Sequence, residues 1–159
     1  LARYTKKIPK DKNIPRYLND KGAKFKNLLG GYDEIIDNVT DTVILLEGYI
    51  DKLSLDNFLQ LDEQDDIKSC CTFGKKISFS QIVKLLRKGI KNVILIYDYD
   101  AIKEMKKYSL ELEKYFNVKV GYTFEKDIND STEKEVLSIF DRLQNPNEFY
   151  RKNVTKIKK

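Results

Sequence analysis

Carboxylates that directly follow apolar runs are the residues of this sequence best placed to do chemistry. Glu47 and Gly48 follow the apolar residues 43–46, and Asp51 comes one helical turn later. A carboxylate at the tip of an apolar strand is unfavourable unless it is solvated, paired or bound to a metal. Glycine lets the backbone turn sharply and approach a ligand closely. The turn is therefore a candidate site for a cation.

A second acidic run follows the apolar residues 93–96. Asp98 and Asp100 stand two residues apart, and side chains two apart on an extended chain point the same way. A hard divalent cation relieves the repulsion between such carboxylates, and Mg²⁺ uses few protein oxygen ligands together with substrate phosphates. Residues 126–130 add further acids, among them Asp127. The simpler alternative is that these acids cap helices, as Asp100 would before a helix starting near Ala101.

The sequence excludes several other kinds of site. It has no His, and its two cysteines, Cys70 and Cys71, are adjacent, so an ordinary zinc site and a His-dependent triad are both excluded. We expect the cysteines to be buried thiols in a strand, which favours a reducing cytoplasm. No run approaches the ~20 apolar residues that cross a bilayer. The start lacks Met and a signal region, so we expect a piece of a longer chain.

The elements that must position these acids alternate between apolar strands and amphipathic helices. We expect strands at 43–46, 70–73, 93–96 and 118–124, with a helix after each. This order predicts an α/β fold with parallel strands, in which ligands bind beyond the carboxyl ends of the strands. In the first helix, residues 49–61, we expect Ile50, Leu53 and Phe58 to face inward. Ser78 and Ser131 are predicted helix caps, and Pro146 is predicted to end the last unit.

Charge is unevenly distributed along the chain. Residues 1–30 hold nine Lys or Arg and two Asp, and residues 151–159 hold five Lys or Arg and no acid. Residues 31–150 hold 16 basic and 23 acidic residues, a net charge of −7. An acidic body that holds a cation between basic flanks that hold phosphates explains this pattern, although a solvated surface with Lys-rich ends is the plainer alternative.

Two of these runs resemble the motifs of the Toprim domain. Residues 43–51, Val-Ile-Leu-Leu-Glu-Gly-Tyr-Ile-Asp, resemble its first motif, and residues 94–100, Ile-Leu-Ile-Tyr-Asp-Tyr-Asp, resemble its second. Three further stretches, 15–22, 72–81 and 126–130, are similar to segments of bacterial and phage-type DNA primases. Ile102 and Ile128 depart from that pattern, which usually has Gly and Pro there. The resemblance implies a Rossmann-like parallel sheet flanked by helices.

The resemblance also implies a chemistry, the synthesis of RNA primers on single-stranded DNA from nucleoside triphosphates. It makes Asp98 and Asp100 the main Mg²⁺ or Mn²⁺ ligands and Glu47 a further ligand or the proton-transfer group. Asp51 and Asp127 would support the metal or hold a second one. The candidate phosphate contacts are Arg16, Lys24, Lys26 and Lys126. The candidate stacking residues are Tyr17, Tyr32, Tyr97 and Tyr99, although we expect Tyr97 in the strand core and Tyr99 to point away from the acids.

The resemblance divides the chain into three parts. Residues 1–37 would be a basic remnant of the adjacent primase subdomain, 38–143 the Toprim domain, and 144–159 a basic tail or linker. The implied partners are the template strand, nucleoside triphosphates and, through other regions, a replicative helicase, with no membrane. Three alternatives stay open: a Toprim nuclease or topoisomerase, a degenerate module that binds nucleic acid without activity, and an ordinary α/β domain whose acids are caps.

Overall fold

The computed structural model describes residues 25–123 and 127–157, without the side chains of Tyr99 and residues 153–157. Four strands form one parallel sheet: β1 Thr42–Leu46, β2 Ile67–Cys71, β3 Asn92–Asp98 and β4 Asn117–Thr123. Five helices connect or follow them: α1 Tyr49–Leu59, α2 Phe79–Arg87, α3 Ile102–Leu112, α4 Glu133–Phe140 and α5 Pro146–Ile157. The predicted α/β fold with a Rossmann-like parallel sheet is confirmed.

The strand order β2-β1-β3-β4 places the first and third strands at the centre of the sheet. Strand β1 alternates its side chains between two cores, as a strand covered on both faces must. Val43 and Leu45 join the core under α2, α3 and α5, whereas Ile44 and Leu46 join the core under α1 and α4. Strand β1 pairs with β2 on one side and with β3 on the other, so the strand order reverses between β1 and β3. A crevice for ligands is therefore expected at the carboxyl ends of these two strands.

Helix α1 presents a face to the core that differs in part from the predicted one. Ile50 and Leu53 are 47% and 46% exposed, and only Phe58 of the three predicted inward residues packs against the core. Lys52 and Asp56 are buried instead. Charged residues occupy the inner face because they pair with each other there, and the apolar spacing alone does not reveal this.

Both ends of the described chain pack on the sheet. Gly30 exchanges two backbone hydrogen bonds of 3.0 Å with Cys71, which covers the edge of β2, and Leu29 and Ile35 are buried in the core. Phe149 is buried as well, so residues 144–150 are not a free tail. Pro146 begins α5 and does not end a unit, because proline is well suited to the first position of a helix. The predicted boundaries at 37 and 143 otherwise stay predictions.

Two smaller predictions have different outcomes. Ser78 caps α2 as expected, accepting a hydrogen bond from the Gln81 backbone, but the cap of α4 is Thr132 and not Ser131. Cys70 and Cys71 are buried free thiols, as expected. In the described ranges, no helix is long and apolar enough to cross a membrane.

Candidate metal centre

The turn after β1 holds two carboxylates against the end of the sheet. A Cβ on Gly48 would lie 2.7 Å from Asp51 Oδ2, so only glycine allows Asp51 this close to the turn. The Glu47 side chain is half-buried, and its Oε2 atom is buried without a hydrogen-bond partner among the described residues. A buried carboxylate oxygen without a donor is unfavourable, and a cation would satisfy it.

The end of β3 places Asp98 beside this turn. The register pairs Leu45 with Leu95, which brings Glu47 level with the last residues of β3. On its other side, Asp98 Oδ1 accepts a hydrogen bond of 3.2 Å from Thr123 Oγ1 at the end of β4. Asp98 is therefore fixed between the two neighbouring strand ends, where the sequence predicts it.

Asp100 does not share a strand face with Asp98. Strand β3 ends at Asp98, and Tyr99–Ala101 form a 3₁₀ turn, so the alternation expected of an extended chain does not apply. Asp100 is exposed, and its Oδ2 accepts a hydrogen bond of 2.8 Å from Lys75 Nζ. Burial and Asp127 are the larger causes of the raised pKa of Asp98, and the charge of Asp100 raises it further.

Residues 127–130, after β4, bring a further carboxylate to this edge of the sheet, and we call Glu47, Asp51, Asp98, Asp100 and Asp127 the acidic rim. Asp127 precedes the 3₁₀ turn Ile128–Asp130, and the Asn129 N–H donates a hydrogen bond of 3.4 Å to Asp51 Oδ1. Ile128, which stands where the primase pattern usually has Pro, is buried in the core under α1 and α4. The Ile128 side chain thus anchors the turn Ile128–Asp130 through packing in this core.

Mutual repulsion and burial disturb the ionisation of these groups. Burial raises the pKa of Glu47 to about 7, Lys75 lowers it in part, and Asp98, Asp100 and Asp51 raise it further. Burial also raises the pKa of Asp51 to about 6, with contributions from Asp98 and Asp127. The pKa of Asp98 is raised by burial and then by Asp127. Clustered groups with such shifts are typical of functional sites.

The donor set fits a hard cation such as Mg²⁺ that keeps water and phosphate ligands. All donors are carboxylate oxygens, and Glu47 Oε2 lacks any other partner. As they stand in the described ranges, no three Asp, Glu or Cys side chains are grouped closely enough to enclose an ion by themselves. The residues thus fit a cation that one or two carboxylates hold together with a phosphate-bearing substrate.

Sequence reasoning missed Lys75 as a site residue. Lys75 follows β2 by four positions, and its charge acts on both Asp100 and Glu47. The available signal was the sheet itself, because the carboxyl end of β2 shares an edge with the other strand ends. A lysine at this rim neutralises part of the acidic charge.

The candidate phosphate contacts and stacking residues have mixed outcomes. Lys26 is exposed in the turn Phe25–Asn27. Tyr97 is buried as expected, and Tyr32 packs against the core under α2, α3 and α5. Outside the described residues lie Arg16, Lys24, Lys126, Tyr17 and the Tyr99 side chain. Their roles stay predictions.

Replacing Glu47 with glutamine is expected to stabilise the metal-free protein by about 1–2 kcal/mol at pH 8 and by little at pH 5. The folded-state pKa of Glu47, about 7, lies above its ordinary value of 4.5, so the folded protein retains a proton that the unfolded chain releases. The proton on Glu47 therefore favours the folded state. Its contribution to the free energy of unfolding is complete below pH 4.5 and is lost as the pH rises through 7. The full shift corresponds to about 3 kcal/mol, which solvent around the half-buried group reduces.

Urea denaturation of both proteins at the two pH values measures this effect. Glutamine at Glu47 carries no charge at either pH, so its advantage should appear only where Glu47 is ionised. An equal change in the free energy of unfolding at pH 5 and pH 8 would contradict a raised pKa at this position.

Comparisons with known proteins find structural similarity only. No protein-family model matches the sequence, and no curated protein matches it. The catalytic core of DnaG superimposes with a TM-score of 0.63 and 16% identity, over 91% of this chain and 50% of that chain. The RNA polymerase domain of Mycobacterium tuberculosis primase DnaG gives a TM-score of 0.65 and 13% identity, over 90% of this chain and 51% of that one. The chain thus spans about half the length of these structures, and it has the fold of that part of a DnaG-type primase core.

Proposed function

We propose that this chain is the metal-binding part of a DNA primase, which joins nucleoside triphosphates into RNA primers on single-stranded DNA. The observation that carries the proposal is the Glu47 carboxyl, whose Oε2 has no partner among the described residues and whose pKa is raised to about 7. It stands beside Asp98 at the central strand ends of a fold shared with primase cores. In this proposal, residues 1–37 belong to the adjacent primase subdomain, 38–143 form the Toprim domain, and 144–159 are the basic segment that follows it.

The proposed reaction is attack of a primer 3′-hydroxyl on the α-phosphorus of a nucleoside triphosphate, with pyrophosphate leaving. Asp98 and Asp100 would hold the divalent cation, Mg²⁺ or Mn²⁺, with Asp51 and Asp127 supporting it. The bound cation would neutralise the triphosphate and lower the barrier to attack.

Glu47 suits the transfer of the hydroxyl proton. In the metal-free protein this carboxyl group has a pKa of about 7 and exchanges a proton near neutral pH, as a general base must. Lys75 would contact the triphosphate once the phosphate displaces it from Asp100, to which it now donates a hydrogen bond. Arg16, Lys24, Lys26 and Lys126 are the further candidates for phosphate contacts.

The proposed partners are the template strand and nucleoside triphosphates, with a replicative helicase bound through regions outside this chain. The buried free thiols of Cys70 and Cys71 agree with a reducing compartment, and we propose the cytoplasm. A nuclease or topoisomerase would use the same acids to cleave a strand, so the products of the reaction separate these functions.

Product analysis with the full-length protein tests the proposal. A labelled single-stranded DNA template and the four ribonucleoside triphosphates, with Mg²⁺ or Mn²⁺, are expected to yield RNA extended from the template. Cleaved DNA without new RNA would instead assign the acids to a nuclease. Neither product in the full-length protein, with the acids intact, would contradict an enzymatic role.

A further inference from the structure

Two aromatic rings stand at the edge of the acidic rim. Tyr49 begins α1 two residues after Glu47, and Phe73 follows the end of β2. Their ring planes are nearly parallel, at 14°, with centroids 6.4 Å apart, and Phe25 meets Phe73 edge-on at 5.2 Å. Tyr49 and Phe73 are 43% and 38% exposed. We call Phe25, Tyr49 and Phe73 the aromatic platform.

The backbone holds Phe73 in an unusual conformation. Its φ of +57° is in the left-handed region, which is rare for a bulky residue. The turn is fixed by a hydrogen bond of 2.7 Å from Thr72 Oγ1 to the Gly74 carbonyl, and by one of 3.1 Å from the Gly74 N–H to the Glu47 carbonyl. An unfavourable backbone kept in place at a functional rim suggests a use for the side chain that it presents.

Packing inside the fold accounts for only one side of the aromatic platform. A Cβ on Gly30 would lie 3.0 Å from the Tyr49 ring and 3.1 Å from the Phe73 ring, so both rings cover this glycine. Helix α1 also turns Ile50 and Leu53 outward together with Tyr49, because its inner face holds buried charges. Among residues 25–123 and 127–157, the outer ring surfaces therefore remain exposed and available to a ligand.

Lysines flank the aromatic platform on the sequence stretches that carry it. Lys26 follows Phe25, and Lys75 and Lys76 follow Phe73 after Gly74. Lys26 and Lys76 are exposed, and the two stretches are joined by a hydrogen bond from Ser78 to the Lys26 carbonyl. Aromatic faces beside exposed ammonium groups match an unpaired base and its phosphates, and they match an apolar protein surface less well.

We propose that the aromatic platform stacks an unpaired nucleobase next to the acidic rim. The platform would position single-stranded nucleic acid so that the base beside the reacting nucleotide is held by Tyr49 or Phe73. The identification of the strand as a template rests on the proposed function, whereas the stacking itself does not. A base from a free nucleotide presents the same chemistry, and the experiment separates these two sources.

Single-tryptophan fluorescence tests the proposal, because the chain has no tryptophan. The Phe73→Trp variant of this chain is titrated with a single-stranded oligodeoxynucleotide, with an abasic strand of the same length, and with a nucleoside triphosphate. The base-containing strand is expected to quench the fluorescence, and the abasic strand is expected to leave it nearly unchanged. Quenching by the triphosphate alone would assign the platform to the incoming nucleotide and would overturn its role with the strand.

The matched control is Phe79→Trp. Phe79 is an exposed aromatic residue that packs with Tyr115 at 6.4 Å, beyond the carboxyl end of α3. Its tryptophan should respond little to either strand. Quenching of equal size at both positions, or by both strands, would overturn the proposal, because it would report phosphate attraction without stacking.

Binding measured by fluorescence anisotropy of a labelled strand gives an independent readout. Loss of one stacked base corresponds to about a 5- to 150-fold loss of affinity, so Phe73→Leu and Tyr49→Leu should each weaken binding within this range. Circular dichroism confirms that the variants are folded, and Tyr49→Trp replaces Phe73→Trp if that variant is not. No binding, or unchanged binding in both leucine variants, would overturn the proposal.

Mn²⁺ binding separates a failure of this inference from a failure of the proposed function. A variant that combines Asp98→Asn and Asp100→Asn with Phe73→Trp should no longer bind Mn²⁺. The base-containing strand should still quench its tryptophan fluorescence. Mn²⁺ binding without quenching overturns the stacking site alone. Quenching without Mn²⁺ binding leaves the stacking site and contradicts the metal centre.

Discussion

Replacing Lys52 with methionine is expected to lower the free energy of unfolding by about 3–5 kcal/mol. Lys52 is 1% exposed, and its Nζ donates hydrogen bonds of 2.6 Å to Asp56 and 2.7 Å to Glu34. Burial alone would lower the pKa of Lys52, but these two carboxylates outweigh it and raise the pKa. Without the ammonium group, Ser69 is the one hydrogen-bond donor that the described residues still offer to the buried Asp56 side chain.

Lys52 also holds the segment at Gly31 and Glu34 against α1. Lys52 follows Asp51 in α1, and a Cβ on Gly31 would lie 2.2 Å from Lys52 Cε, so the chain passes directly over the buried amine. The network therefore fixes the segment at Gly31 and Glu34 onto α1.

Urea denaturation measures the change, with Lys103→Met as the control. Lys103 is an exposed lysine of α3, and its replacement should change the free energy of unfolding by less than about 0.5 kcal/mol. Adding Asp56→Asn to Lys52→Met should recover part of the loss, because it removes the unpaired buried charge. A loss no larger than that of Lys103→Met would contradict a buried ion pair at this position.

Replacing Asp98 and Asp100 together with asparagine is expected to reduce primer synthesis by the full-length protein at least about 1000-fold. The two changes keep the size of the side chains but remove two of the negative charges that would hold the cation. Charge stabilisation by a bound metal contributes several kcal/mol to phosphoryl transfer, and each 1.36 kcal/mol corresponds to a tenfold change in rate.

The control for this pair is Asp62→Asn with Glu63→Gln. Both are exposed acids of the turn Leu61–Glu63, so this variant removes the same formal charge away from the rim. Primer synthesis should remain close to that of the parent protein. A similar loss in both double variants would show a general dependence on charge and would contradict the assignment of Asp98 and Asp100.

Much of the fold follows from the sequence because buried parallel strands are continuous apolar runs. The runs at β1 and β3 predict the two central strands, and their carboxyl ends must share an edge, which brings Glu47 and Asp98 together. Ser78 predicts the start of α2, where the structure shows that it forms a reciprocal capping pair with Gln81. The acidic rim is therefore predictable from local patterns and one rule of topology.

The features that sequence reasoning missed depend on partners distant in the chain. The burial of Lys52 requires Glu34 and Ser69 to meet α1, which no local period encodes. Lys75 becomes a site residue only when the sheet order brings it to Asp100. Pro146 can either end or begin a helix, and the buried Phe149 decides this choice only in the folded chain.

Mn²⁺ binding measured by electron paramagnetic resonance tests the central claim that the acidic rim is a metal centre. The parent chain is compared with the Asp98→Asn, Asp100→Asn double variant, each with and without a nucleoside triphosphate and at pH 6 and pH 8. We expect the parent chain to bind Mn²⁺, more tightly at pH 8 because Glu47 must lose its proton, and the double variant not to bind beyond what the nucleotide binds alone. Equal Mn²⁺ binding by both chains, or none by the parent even with the nucleotide, would contradict the account.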